Sequence, residues 1–322
     1  LLHLRMICPS DTTDKVLAVL AANPGATHVT LARGVAVEPA GDLIQADVAR
    51  EAANEVLAEL TALGISESGG ITLGPVETVL SEAGDRAVKA APGDPTDAVV
   101  WEELLAQTKE ESTLNSTFIA FLTIACLLAA VGVATDSPVT IVGAMVVGPE
   151  FGPLAAFAVG MVRRDFRLAR RSAIALAIGF PTAMVITLFA TLLWEQFGWI
   201  KLNGVESLPN VDFIYEVGPF SLVVALLAGA AGMLSLVTSK SAALVGVFIS
   251  VTTVPAAGFA VVAATLGEWN AAFLSAGQLA VNLAGIVTAG VIVLALRPRA
   301  GNEFGPLERF KRWIGMRSLV EK

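Results

Sequence analysis

The sequence predicts two parts: an α+β soluble ferredoxin-like domain of order βαββαβ, then an α-helical membrane domain of six spans arranged as two inverted three-helix repeats. Three observations carry this. Strand and helix periodicities alternate over residues 1–83. Apolar runs long enough to cross a bilayer fill residues 114–296. The composition, 55% hydrophobic and 16% charged with a mean hydropathy of +0.71, exceeds what a soluble core can bury. Charge is divided as well. Residues 1–112 hold 18 acidic against 7 basic side chains and the remainder 11 against 14, so the formal −8 is the sum of an acidic front and a slightly basic rear.

The soluble part reads in order. "LLHLRMICP" alternates as a strand that Pro9 ends, and "DTTDKVLAVLAANP" is a helix with Asp11 as its expected N-cap. "ATHVTLARGVAVEPAGDLIQADVA" gives two strands with Pro39, Ala40 and Gly41 as punctuation. "REAANEVLAELTALGI" is an amphipathic helix, and "GGITLGPVETVL" the last strand. Residues 84–113 are expected to be a hinge, "KAAPGDPTD", and a polar linker helix whose Glu102, Glu103, Glu110 and Glu111 form a solvated face. His3 and His28 lie on strands with no spaced partner, and Cys8 and Cys126 fall in different parts, so no metal site, cofactor or disulfide framework is indicated. The acidic front disfavours nucleic acid. Because no leader-like signal opens the chain, this domain is expected in the cytoplasm.

The expected spans are 115–134, 139–162, 172–194, 218–238, 242–266 and 271–296. The loop "RRDFRLARR" carries five arginines and the tail 297–322 seven basic residues, whereas the alternate loops hold one lysine. Basic residues are retained inside, so the chain is expected to be a multi-pass protein of the cytoplasmic (inner) membrane with both termini inside. Trp194, Trp199 and Trp269 fall near the outer ends, where amphipathic rings prefer the interface.

An internal repeat supports the inverted arrangement. With Leu154 set over Ala256, "LAAFAVGMV" lies on "AAGFAVVAA", and one residue of slip upstream places Gly143 over Gly246. Each copy is the middle helix of a three-helix set. Three crossings reverse direction, so the two sets run oppositely through the membrane.

The segments "DSPVTIVGAMVVGPEFGPLAAFAVG", "ALVGVFISVTTVPAAGFAV" and "AVNLAGI" resemble those of bacterial and archaeal membrane proteins carrying the domain of unknown function 389. The resemblance implies a polytopic membrane fold and brings no substrate or catalytic residues. Glu150 stands where such proteins commonly carry an apolar residue, and Thr252-Thr253 replaces apolar residues before Pro255. If those positions line a pathway, the resemblance implies a selectivity particular to this chain.

A carboxylate inside a span is costly unless it faces water, a cation or a basic partner, which makes Glu150 a candidate for a transport pathway. Gly148-Pro149 and Gly152-Pro153 are expected to free carbonyls around it. The competing reading pairs Glu150 with Arg163 or Arg164 of a neighbouring subunit. Ser250, Thr252, Thr253 and Pro255 are the corresponding candidates in the fifth span, the alternative being hydroxyls bonded to their own helix. Gln278 and Asn282, one turn apart in the sixth, line the route or join helices. No phosphate-cradling loop, HExxH or GxSxG is present, and no enzyme activity is expected. Two functions remain: a channel or secondary transporter for an ion or small polar solute, modulated by the soluble domain, or a non-transporting membrane sensor or scaffold. Small-residue helix faces point to a homo-oligomer in the lipid bilayer.

Overall fold

The computed structural model describes residues 1–76, 78–91, 98–199, 219–238 and 242–297, with 219 and 242–252 described by backbone alone. The chain forms two compact units, one built on Leu1–Leu104 and the other on Leu105–Ala295.

The first unit runs β1 (Leu2–Cys8), α1 (Thr13–Ala22), β2 (Ala26–Val37), β3 (Ala40–Val48), α2 (Arg50–Ala62), α3 (Ile65–Ser68), β4 (Gly70–Pro75) and α4 (Glu82–Ala90). The sheet order is β2-β3-β1-β4 and every pair is antiparallel. β3 lies between β1 and β2, and β1 between β3 and β4, which is the split-βαβ arrangement the element order predicts. Alternation sets the core. Leu2, Leu4, Met6 and Cys8 point inward and are fully buried, together with Val56, Leu57 and Leu60 of α2. Truncating one of these, Leu4→Ala for example, removes on the order of 2–5 kcal/mol. A carboxylate also fits inside, because Asp42 accepts from Thr13 Oγ1 at 2.7 Å, Gly34 N at 2.8 Å and Ser10 Oγ at 3.1 Å. Those bonds, Thr13's foremost, hold its pKa below the ordinary carboxylate value.

Three boundaries differ from expectation. The N-cap of α1 is Thr12, whose carbonyl takes Val16 N at 3.1 Å, not Asp11. The last strand stops at Pro75 and not at Leu80, because its partner β1 begins at Leu2, which pairs with Pro75. Residues 82–90, partly assigned to the hinge, are helical: Ser81 Oγ accepts Gly84 N at 3.3 Å, and Glu82 and Asp85 occupy the first turn, where the helix dipole favours acids.

Helix α5 (Trp101–Glu111) crosses the division between the units. The second unit then has α6 (Ser116–Ala134), α7 (Pro138–Val147), α8 (Phe151–Arg163), α9 (Phe166–Gln196), α10 (Pro219–Val237), α11 (Ala242–Thr265) and α12 (Trp269–Ala295). Among the described residues four helices, α6, α9, Phe220–Val237 and α12, are long and apolar enough to cross a membrane. The pair α7 and α8, bent by 52°, makes a fifth if it counts as one span. The expected segment 242–266 coincides with α11, whose side chains are described only from Thr253, so six spans are not established. The second expected span is not continuous. Pro149 lacks the N–H that would bond back one turn, and α7 ends at Gly148 in extended geometry. Gly152-Pro153, expected to free carbonyls in the same way, instead lies in the first turn of α8, where a missing N–H costs nothing.

The outer face of α9 exposes Ile174, Ile178, Val185, Ile186, Phe189 and Leu193, a surface suited to lipid. Inward, α11 packs against α6, α7 and α9, and α12 against α8, α10 and α11. Phe259 is buried among Val133, Ile141 and Met145; Ala256 and Ala257 lie with Phe118, Leu122 and Phe180. Gly258 permits a close approach of α11 to α6, since a Cβ there would stand 2.5 Å from Ala129 Cβ.

Candidate functional site

The break between α7 and α8 places Glu150 as the N-cap of α8, its carbonyl accepting Leu154 N at 3.2 Å. Its side chain turns inward and the residue is 0% exposed. Thr253 Oγ1, also fully buried, donates to Glu150 Oε1 at 2.6 Å, within the range of charge-assisted O–H···O bonds. As the N-cap residue Glu150 stands at the positive end of α8, where an acid is favoured by about 0.3–1 kcal/mol, but its side chain accepts none of that helix's N–H groups. Thr253 stands two residues before Pro255, inside α11. The two proline-bearing middle helices therefore meet side chain to side chain, with small walls of Ala125, Ala129, Ala144 and Val254 alongside.

The other face of the break is open. A cavity of about 350 Å³ borders Gly148, Pro149, Phe151 and Gly152 and is lined across from them by Glu110 and Glu111. Gly152 admits this approach: a Cβ there would stand 2.6 Å from Glu111 Cβ. Glu111 has a raised pKa, first because it is desolvated and also because Glu110 is beside it, with a Gln107 hydrogen bond opposing. Glu102, Glu110 and Glu111 are nonetheless exposed, as expected of the linker helix's acidic face. Glu103 is half-buried and paired with Arg50 Nη2 at 2.8 Å.

Gln278 and Asn282 are both buried, and Gln278 Nε2 donates to Asn282 Oδ1 at 2.8 Å. The same amide donates to Ser221 of α10. Gln278 is therefore held by its own helix and by α10, not by Glu150. Ser275, one turn earlier, donates to the Ala256 carbonyl at 2.9 Å and ties α12 to the Pro255 region. Ser250 and Thr252 lie outside the described side chains. Within one chain Arg163 closes the far end of α8, about 20 Å from Glu150 along the axis.

Sequence reasoning missed one cluster in the first unit. His3 Nδ1 and His28 Nδ1 contact the two oxygens of Asp47 at 2.8 and 2.7 Å, and His28 Nε2 meets Ser81 Oγ at 2.7 Å. Against the desolvation that raises it, these bonds from His28 and His3 hold the Asp47 pKa below its ordinary value. His3 stands opposite Asp47 in the β1–β3 register. His28 reaches it only because the β2–β3 register shifts between Thr27 and Thr30 and His28 takes a left-handed φ of 52°. The order Asp–His–Ser is that of an acyl-transfer relay, but Ser81 Oγ also accepts Gly84 N as the cap of α4, and the chain of bonds fastens that helix to the sheet. Among the described residues no three His, Cys, Asp or Glu side chains are placed to hold a metal ion.

Residues 145–288, from the end of α7 through most of α12, match the family described as the domain of unknown function DUF389. An uncharacterised protein of Methanocaldococcus jannaschii is 24% identical over 161 residues, covering 49% of this chain and 47% of that relative. The match thus spans about half the relative's length. No solved structure matches the chain.

Proposed function

We propose that this DUF389-matching chain is a membrane channel or secondary transporter for an ion or small polar solute, with Glu150 and Thr253 on the route and the N-terminal α+β domain modulating it. One observation carries the reading: a fully buried carboxylate at the break of a bent apolar helix, bonded to a threonine beside the proline of another. Intramembrane acids and interrupted helices are the features by which transport sites are recognised. A repeated packing is consistent with this reading, since the first and third helices touch in each set, α6 on α9 and α10 on α12, and each set has a proline-bearing middle member, broken at α7–α8 and continuous in α11. The loop charges favour the inner membrane with both termini inside. A small homo-oligomer belongs to the same reading: edge strand β2 exposes Val29, Leu31, Val35 and Val37, and a single-protomer mass in lipid nanodiscs would count against it.

The test is reconstitution into liposomes with a broad panel of ions and solutes, comparing wild type with Glu150→Gln, which keeps volume and removes the titratable charge. Altered flux or selectivity beside an unchanged melting temperature supports the route. Flux that is unchanged beside lowered stability removes Glu150 from it. No flux of any tested solute favours the sensor or scaffold reading.

A further inference from the structure

The five arginines of the α8–α9 hairpin have a geometry that topology alone does not require. Arg163 ends α8, and Arg164 caps it in the left-handed conformation, φ 60°. Asp165 caps α9, its Oδ1 accepting Arg167 N and Leu168 N at 3.1 Å each. Arg167, Arg170 and Arg171 follow at spacings of three and four, which puts them on one face of α9. The turn is stiff. A Cβ on Gly160 would stand 2.7 Å from Ala169 N, so the two helices meet backbone to backbone. Arg171 Nη2 donates to Thr113 Oγ1 at 2.6 Å. Among the described residues none of Arg164, Arg167, Arg170 and Arg171 forms an ion pair with a carboxylate.

Like charges at these spacings repel, and the one carboxylate inside the hairpin is engaged with backbone amides. Among the described residues this basic face has no carboxylate to offset it, and an anionic ligand would complement it. Its nature follows from the apolar side chains on the same turn: Phe166 is 66% exposed and Met161 44%. Exposed aromatic and basic side chains together, at the end of two apolar helices, suit the boundary between acyl chains and head groups. Retaining a loop inside needs only the charges; it needs neither a shared face nor an adjoining phenylalanine.

We propose that the α8–α9 hairpin is a binding site for an anionic phospholipid, the guanidinium groups of Arg167, Arg170 and Arg171 taking its phosphate with Phe166 beside them at the head-group level. Planar guanidinium forks match phosphate oxygens. The site rests on membrane placement and not on transport, so it stands or falls separately from the proposed function.

The full chain in mild detergent is titrated with phosphatidylglycerol or with phosphatidylcholine of the same acyl chains, following melting temperature and bound lipid by native mass spectrometry. Phosphatidylglycerol is expected to stabilise saturably and remain bound, and phosphatidylcholine is not. Arg167→Gln with Arg170→Gln leaves the Arg171–Thr113 bond in place and should weaken phosphatidylglycerol binding about 25-fold, since each basic residue near an anionic lipid is worth about fivefold. If that pair does not fold, Arg170→Gln alone should show the fivefold loss. Equal response to both lipids, an undiminished affinity in the variants, or the same stabilisation by inorganic phosphate at matched ionic strength would each overturn the proposal.

Discussion

Thr253 Oγ1 donates to Glu150 Oε1 across 103 positions of sequence, and this 2.6 Å bond joins the break between α7 and α8 to the helix that carries Pro255. Burying a polar side chain is tolerated where it is hydrogen-bonded, and Thr253 supplies that partner here. The bond therefore has a consequence for stability whatever the helices conduct.

Thr253→Val keeps the shape of the side chain and removes the donor. A hydrogen bond of this kind contributes about 0.5–1.5 kcal/mol to a neutral partner and about 1.5–3 to a charged one, and its loss leaves the Glu150 oxygen without this donor in an apolar wall. The detergent melting temperature should fall, while Thr253→Ser, which keeps the hydroxyl, should stay near wild type. Equal stability of the valine and serine variants would show that the bond contributes nothing.

Glu111 provides a pH-dependent test beside the same break. A carboxyl whose folded pKa is raised stabilises least when ionised, so its cost is present at neutral pH and disappears as pH falls through the folded pKa toward the ordinary value. Glu111→Gln should therefore raise the melting temperature at pH 7, and the difference should close below about pH 4. Gly152→Ala tests the packing on the other side of the contact: it should cost about 1–3 kcal/mol, and pairing it with Glu111→Gly, which removes the Cβ it would meet, should recover part of the loss. Strict additivity in that double variant would mean the two positions do not touch.

What the sequence disclosed followed how locally each feature is encoded. Leu2, Leu4, Met6 and Cys8 alternate within one strand, so β1 and its buried face were readable. Glu150 stands out against its apolar neighbours without any knowledge of the fold. Its contact with Thr253 was not readable, because it depends on how α11 crosses α7. The His3–Asp47–His28 cluster needed the β1–β3 register and the β2 irregularity, neither of which composition reveals. Helix α4 was hidden by the Pro/Gly/Asp-rich stretch that follows it, although Ser81 and Glu82 begin it in the ordinary way.

Asp47 sits between the chain's only two histidines, so the cluster has a clean spectroscopic signature. Its folded pKa lies below the ordinary carboxylate value. A carboxyl depressed in this way contributes stability above its unfolded pKa, near 3.9, and loses it as pH falls through the folded one. Asp47→Asn should abolish that acid-sensitive contribution and shift the imidazole resonances of both His3 and His28. Resonances that stay in place would mean that the cluster does not form in solution.

Orientation is the last test, and it bears on both proposals. The arginine hairpin at Arg163–Arg171 faces the cytoplasm if basic residues are retained inside, and the loop 197–217 then faces outward. The native cysteines, Cys8 and Cys126, are both buried, so background labelling by a membrane-impermeant maleimide should be low. Arg167→Cys should be shielded in intact cells and labelled after permeabilisation, while Asn210→Cys should be labelled in intact cells. Because α8 and α9 are joined by a tight hairpin, a reversed pattern at Arg167 would turn both helices together. It would place the arginine face opposite the outer leaflet and remove the charge argument for termini inside. The Glu150–Thr253 bond would be untouched, so a reversed result would redirect the transport reading without removing the site.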